Sequence, residues 1–292
     1  MNPWESLTKY YDKLVENGKK VCPIAHTYIT VHIAVLIDKN GNFLYAMGPE
    51  VKGELIPVPC TIESENRTSS IAPHLISDQL QYVANYPGYK KHYQAYINQL
   101  HDYVEKNPND EYAQSVYRYV VRGTILSDIH DMILQKTSAP QNKLNVLFAV
   151  YGLENEGIDL CWTEYYLNDV LGINGKCSVT GNMDYIPKTY PNNILSVSDM
   201  GKLFIAKTDS YGEYAQNAPG YIASQKVIHA LQYMIYAKQN ADRVEAEYNI
   251  RGFLDGAILT EDFKDWMREK YPGCWNKFIK ILNRDEKEAV GN

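Results

Sequence analysis

The chain has 292 residues, 45% hydrophobic and 22% charged, which is enough for a real core in one large domain or two modest ones of ordinary globular character. No stretch approaches the roughly 18 uncharged apolar residues of a membrane helix, and Met1-Asn2-Pro3-Trp4-Glu5 lacks the basic and apolar regions of a signal peptide, so a cytoplasmic, non-membrane protein is expected. A net charge of −6 argues against a protein that grips naked duplex DNA alone, because phosphate contact needs clustered Lys and Arg.

Apolar spacing at Leu7, Tyr10 or Tyr11, and Leu14 predicts a first helix over residues 4–17. A hairpin follows: Tyr28–Ile37 and Phe43–Ala46 flank Lys39-Asn40-Gly41-Asn42, and Asn-Gly between strand patterns is a strong hairpin signal. Glu54–Cys60 reads as a third strand, confined to an edge by Pro57 and Pro59. After a polar loop, helices are predicted from His74 or Leu75, then over Tyr89–Glu105, Glu111–Val121 and Ile125–Leu134, with Asn109 or Asp110 as a cap and Gly123 as a stop. Leu144–Tyr151 returns to a strand pattern, Trp162–Val170 is helical, Cys177–Val179 extended, and Leu203–Ala206 a short strand. Val227, Leu231, Met234 and Ile235 mark a long helix over Tyr221–Ala237. The fold class is α+β: an N-terminal antiparallel sheet, a helical middle, a second small sheet and loop region, and a helical C-terminal tail. The domain boundary is set at 1–240, followed by a short helical tail over 241–292.

Catalytic patterns are few. The sequence has no phosphate-binding glycine loop, no H-E-x-x-H and no G-x-S-x-G. Asp128 and His130 form a suggestive pair, yet on one helix they lie about 200° apart. Cys22, Cys60, Cys161, Cys177 and Cys274 are scattered singly, so they read as free thiols rather than a disulfide or zinc framework. The expectation is a non-enzymatic protein without metal or cofactor. Tyrosine is over-used, 25 residues against 6 Phe, and its stacking area plus hydroxyl suits core, subunit contact or nucleic-acid surfaces. Charge is uneven as well. Glu154, Glu156, Asp159, Glu164, Asp169, Asp184 and Asp199 face only Lys176 and Lys188 between Glu154 and Met200, leaving that segment at −5.

The segment Arg67-Thr68-Ser69-Ser70-Ile71-Ala72-Pro73-His74-Leu75-Ile76-Ser77-Asp78-Gln79 offers a cation and three hydroxyls before a predicted helix start, a combination suited to phosphate. His74 and Gln79 are side chains able to reach base edges. The same pattern is more often just a helix cap.

This segment resembles the R-T-S-G-I-A-P-N-F-L-x-D-N signature of the large subunit of type I-C CRISPR surveillance (Cascade) complexes. Three further blocks agree in order: Leu7-Thr8-Lys9-Tyr10-Tyr11-Asp12-Lys13-Leu14 with the family's first helix, Cys177-Ser178-Val179-Thr180-Gly181 with its C-x-V-T-G block, and Ser210-Tyr211-Gly212 followed by Gln216-Asn217-Ala218-Pro219 with its S-Y-G and N-A-P block. The resemblance implies an N-terminal large-subunit part that docks beside backbone subunits at the crRNA 5′ end. It also implies recognition of the protospacer-adjacent motif of double-stranded target DNA. Carried over, Arg67, Thr68, Ser69, Ser70, His74 and Gln79 face DNA, and Tyr211, Gly212, Gln216 and Asn217 line or brace the same groove, with Lys188 the cation kept in the following loop.

Departures accompany the match. His74 and Gln79 replace asparagines, and Ile186–Asn193 lacks the Arg, His and Lys-Gly of the family's basic loop. The 292 residues contain no counterpart of the long helical second half that the resemblance leads one to expect. An alternative follows from the lost basic residues: a solitary large-subunit mimic, an anti-CRISPR protein of a phage or mobile element, that occupies the docking site and blocks target-DNA binding.

Overall fold

The computed structural model describes residues 3–48, 55–134, 139–153, 156–192, 194, 203–204 and 218–239. The expected tail over 241–292 and its boundary lie outside them. The chain separates into two units, and the apolar run Tyr28–Ile37 contributes to both. That run is two strands, β1 (His26–Thr30) and β2 (Ile33–Ile37), rather than the single strand its composition predicts.

The first unit takes Met1–Thr30, Leu55–Leu75 and Gly157–Arg243. Among the described residues its strand β1 pairs only with β4 (Leu55–Pro59), antiparallel, with Tyr28 opposite Pro57 and His26 opposite Pro59. A two-stranded ribbon has only edges, which is where prolines that cannot donate belong. Helix α1 (Pro3–Glu16) packs on a long helix near the other end of the described chain, which runs over Tyr221–Gln239. There Lys226 Nζ sits 2.6 Å from the Asp12 carboxylate, and Trp4 meets Phe204 edge to face at 5.3 Å. The core around this pair is Tyr190, Phe204, Val227 and Ile228. Trp162 stacks on Tyr166 at 5.2 Å and donates its indole N–H to the Ala25 carbonyl, holding the segment 156–171 on the ribbon.

The second unit takes, within the described residues, 31–48, 76–134, 139–153 and 156. Its sheet has the order β3-β2-β6-β5, where β3 is Phe43–Met47, β5 is Asp78–Gln79 and β6 is Asn145–Val150. The β2–β3 hairpin is antiparallel, but β2 and β6 run parallel, so the sheet is mixed. All five residues of β2 and Val146 to Val150 are buried, the continuous apolar pattern of strands interior to a sheet. The hairpin turn carries Gly41 at φ +72°, and a Cβ there would lie 2.7 Å from the Tyr119 backbone nitrogen, so the turn can approach its helix only as glycine.

The helical middle comprises α2 (Ile62–Glu65) of the first unit, then α3 (Leu80–Val83), α4 (Lys90–Lys106), α5 (Glu111–Val121), α6 (Ile125–Asp128) and α7 (His130–Ile133) of the second. Asp110 caps α5 by accepting from the Ala113 N–H at 2.9 Å, as expected. The expected helix over Ile125–Leu134 is broken at Ile129 into two single turns, and Asp128 and His130 stand on different ones. Further on come α8 (Glu156–Tyr165), a π-helical turn over Tyr166–Leu171, the two-residue strands β7 (Gly175–Lys176) and β8 (Met183–Asp184), and α9 (Tyr221–Gln239). The fold is α+β, as the sequence patterning requires. Leu203 and Phe204 form a bend; the rest of the strand expected there lies outside the described residues.

Candidate nucleic-acid interface

The segment from Thr61 to Leu75 is built from its cap outward. Thr61 and Ser64 form a reciprocal capping box on α2, and Asn66 closes its end by donating to the Ile62 carbonyl at 3.0 Å. The chain then makes a loop that Arg67 closes, donating from Nη1 to the Ala72 carbonyl at 2.8 Å. Inside this closure Thr68, Ser69, Ser70 and Ile71 are exposed, Ile71 at 42%. Beyond it the chain turns inward again. Ala72, Pro73, His74 and Leu75 are buried, and the Leu75 N–H returns to the Pro59 carbonyl at 3.1 Å.

Two expectations change here. No helix begins at His74 or Leu75: residues 71–77 are irregular, Ile76 has φ +63°, and the next helix is the single turn α3. The phosphate-binding argument from exposed helix N–H groups therefore does not apply. His74 is not placed toward solvent either; its ring is 5% exposed and its Nδ1 lies 3.0 Å from Ser64 Oγ. It braces the foot of the loop. Gln79 belongs to the other unit, where its side-chain carbonyl accepts from Gln81 Nε2 at 2.7 Å.

Under the loop, Glu65 is buried in a helix of one turn. Its carboxylate accepts from Gln225 Nε2 at 3.0 Å, and burial pushes its pKa up to about 8 against the pull of that amide. Ile62 donates its N–H to the Tyr166 hydroxyl at 2.8 Å. Helix α9 thus holds the loop's root from below. Tyr221, Gln225 and His229, four residues apart, form a buried polar stripe along it, and burial drives the His229 imidazole pKa down to about 3.

A second motif meets α9 at its start. Cys177–Gly181 is not extended: it is the turn of the β7–β8 hairpin, closed by the Gly181 N–H on the Cys177 carbonyl at 2.9 Å, with Gly181 at φ +74°. Ser178 donates its N–H to the Ala218 carbonyl at 3.1 Å, and the Gly220 N–H points at Cys177 Sγ at 3.1 Å. Tyr190 donates its hydroxyl to the Pro219 carbonyl. The C-x-V-T-G block and the end of the N-A-P block are therefore in direct contact.

Asp184 caps α9 by accepting from the Ile222 N–H at 3.2 Å, and burial raises its pKa despite these backbone bonds. Within the segment Glu154–Met200, Glu164 and Asp169 are exposed, whereas Asp184 is turned onto a helix end. Sequence reasoning missed both Asp184 and Glu65. Their partners lie 38 and 160 residues away, so no local signal marks them.

Lys188 is exposed in the loop after β8. Tyr211, Gly212, Gln216 and Asn217 lie outside the described residues. Among the described residues no group of three metal-binding side chains forms. The Asp128 carboxylate accepts from the Tyr119 hydroxyl at 2.9 Å and from the Thr124 hydroxyl at 2.6 Å, closing the turn of α6.

The family model described as CRISPR-associated protein (Cas_Csd1) matches residues 7–249, which takes in the loop, the hairpin and α9 together. The chain belongs to this family. No curated protein matches the sequence. Membership in the Csd1 family accounts for the order of the blocks: the Leu7–Leu14 stretch of α1, the loop after α2, the β7–β8 turn and α9 all fall inside the matched span, and α9 meets α1 through Lys226 on Asp12, the root of the loop through Gln225 on Glu65, and the hairpin through Ile222 on Asp184. Among the described residues of this Csd1-family chain, no helix is long and apolar enough to cross a membrane.

Proposed function

We propose that the protein is a non-enzymatic, cytoplasmic subunit of a type I-C CRISPR effector complex, docking beside the backbone subunits at the crRNA 5′ end and reading the protospacer-adjacent motif of target DNA. The observation that carries this reading is the closed loop 67–74. Its tip presents three hydroxyls and one apolar side chain, and its ends are fixed by Arg67 on Ala72 and by His74 on Ser64. A tip held rigidly at both ends approaches a groove without a large ordering cost, and hydroxyls serve phosphate and base edge alike. Arg67 and His74 position; Thr68, Ser69 and Ser70 touch. Lys188, Tyr211, Gly212, Gln216 and Asn217 are proposed to complete the groove.

Family membership supports work within a CRISPR complex, and Asp128 closes the turn of α6 by accepting from Tyr119 and Thr124. The test replaces the native large subunit of a type I-C complex with this chain, intact or with Thr68, Ser69 and Ser70 all changed to alanine. The expected outcome is assembly in both cases and, for the triple variant, a loss of discrimination among flanking motifs of about tenfold or more, the scale of one or two base contacts. Equal discrimination by the two chains would sink the assignment of the tip. Assembly of the intact chain without target-DNA binding would identify it as the inhibitory mimic.

A further inference from the structure

Two stretches of the second unit depart from the chain's acidic character. From Gln79 to His101, and again from Ala139 to Leu153, the sequence contains no Asp or Glu, although the whole chain carries 35. The fold joins these two stretches. The 3-10 turn Gln141–Lys143 lies on α3: Asn142 donates its amide to Gln81 Oε1 at 2.7 Å, and Tyr86 donates its hydroxyl to Gln141 Oε1 at 3.3 Å. Gln81, itself buried, in turn donates to Gln79, so a chain of side-chain amides ties the two stretches together.

Beside it, Tyr86, Tyr89 and His92 form a half-buried aromatic run, each ring edge to face with the next at 6.0 and 5.2 Å. Lys90, Lys91 and Lys143 are exposed around them. Asp78, at the head of the segment, is fully buried and accepts from the Gln79 N–H. Exposed cations, partly exposed aromatic rings and amides without nearby carboxylates in sequence form the composition that binds unpaired strands: lysines on phosphates, rings under bases. Duplex offers no base faces to such rings.

We propose that the surface around Tyr86, Tyr89, Lys90, Lys91 and Lys143 binds a single strand of DNA. The choice of DNA over RNA rests on the proposed role at target DNA. The two readings fail separately, since this surface belongs to the second unit and the loop tip to the first.

The experiment measures binding of a labelled oligothymidylate to the full chain by fluorescence anisotropy across a salt series, with an oligouridylate and a duplex of the same length as competitors. Binding to oligothymidylate ahead of both competitors is expected. Lys90→Ala with Lys91→Ala should lower the salt slope by roughly 1.4, two single-strand phosphate contacts. Tyr89→Ala should weaken binding about tenfold while Tyr89→Phe keeps it. Both lysines are exposed, so circular dichroism of the double variant should match that of the parent. No binding by the parent, preference for oligouridylate or duplex, or a double variant that binds like the parent would each overturn the proposal. Lys19→Ala with Lys20→Ala, exposed lysines of the first unit, should leave oligothymidylate binding unchanged, and a loss there as large as in the Lys90 and Lys91 variant would also overturn it.

Discussion

Glu65 shows how a single buried carboxyl couples this fold to pH. In the folded protein its pKa stands near 8, raised by burial, against an ordinary value of 4.5 in the unfolded chain. The folded state therefore keeps a proton that the unfolded chain releases first. The stability this provides is full below about pH 4.5 and is lost progressively as pH rises to about 8. Glu65→Gln keeps a polar partner for Gln225 and cannot ionise. Chemical denaturation of the variant should show a flatter dependence between pH 5 and 8 than the parent and a higher stability at pH 8. A variant less stable than the parent at pH 8 would mean that Glu65 is ionised and favourably bound. Nothing in the local sequence Thr61-Ile62-Glu63-Ser64-Glu65 distinguishes the buried Glu65 from the exposed Glu63. The distinction comes from α9, whose Gln225 reaches one of them across 160 residues.

At the scale of elements, two fastenings govern the candidate interface. A Cβ at Gly220 would collide with the Asp184 carboxylate that caps α9, so Gly220→Ala should cost about 1–3 kcal/mol of overpacking. Urea denaturation should register it as a lower midpoint at unchanged slope. The glycine owes its place to a partner on another element, not to a turn of its own. The loop depends on Arg67 in the same way: Arg67→Ala removes the bond to the Ala72 carbonyl, and hydrogen exchange should then accelerate over Thr68–Leu75 while α4 and α5 stay protected. Unchanged exchange over the loop would show that the bond does not hold it. Arg67 was legible in the sequence as part of a motif. Its task, closing a loop rather than presenting a free cation, was not, because the Ala72 carbonyl becomes its acceptor only when the chain doubles back.

For the molecule as a whole, the expected activity is recognition without cleavage. Purified protein with Mg²⁺ or Mn²⁺ should leave DNA and RNA intact, and cleavage that disappears in Asp128→Ala would refute this. The sequence by itself determined the α+β class, the Asn-Gly hairpin, the edge position of the proline-bearing strand, α5 with its Asp110 cap, α9, and the collinear blocks that the family match covers. Those are features written in short-range patterns: periodicity, turn residues and caps act over a few residues. Only the tertiary structure decided that Tyr28–Ile37 divides between two units, that β6 returns parallel to β2, that His74 is buried and that Asp184 spends its charge on a helix end. Each of these depends on a partner far away in the chain, and burial or pairing with a distant segment leaves no mark on the local pattern that produces it.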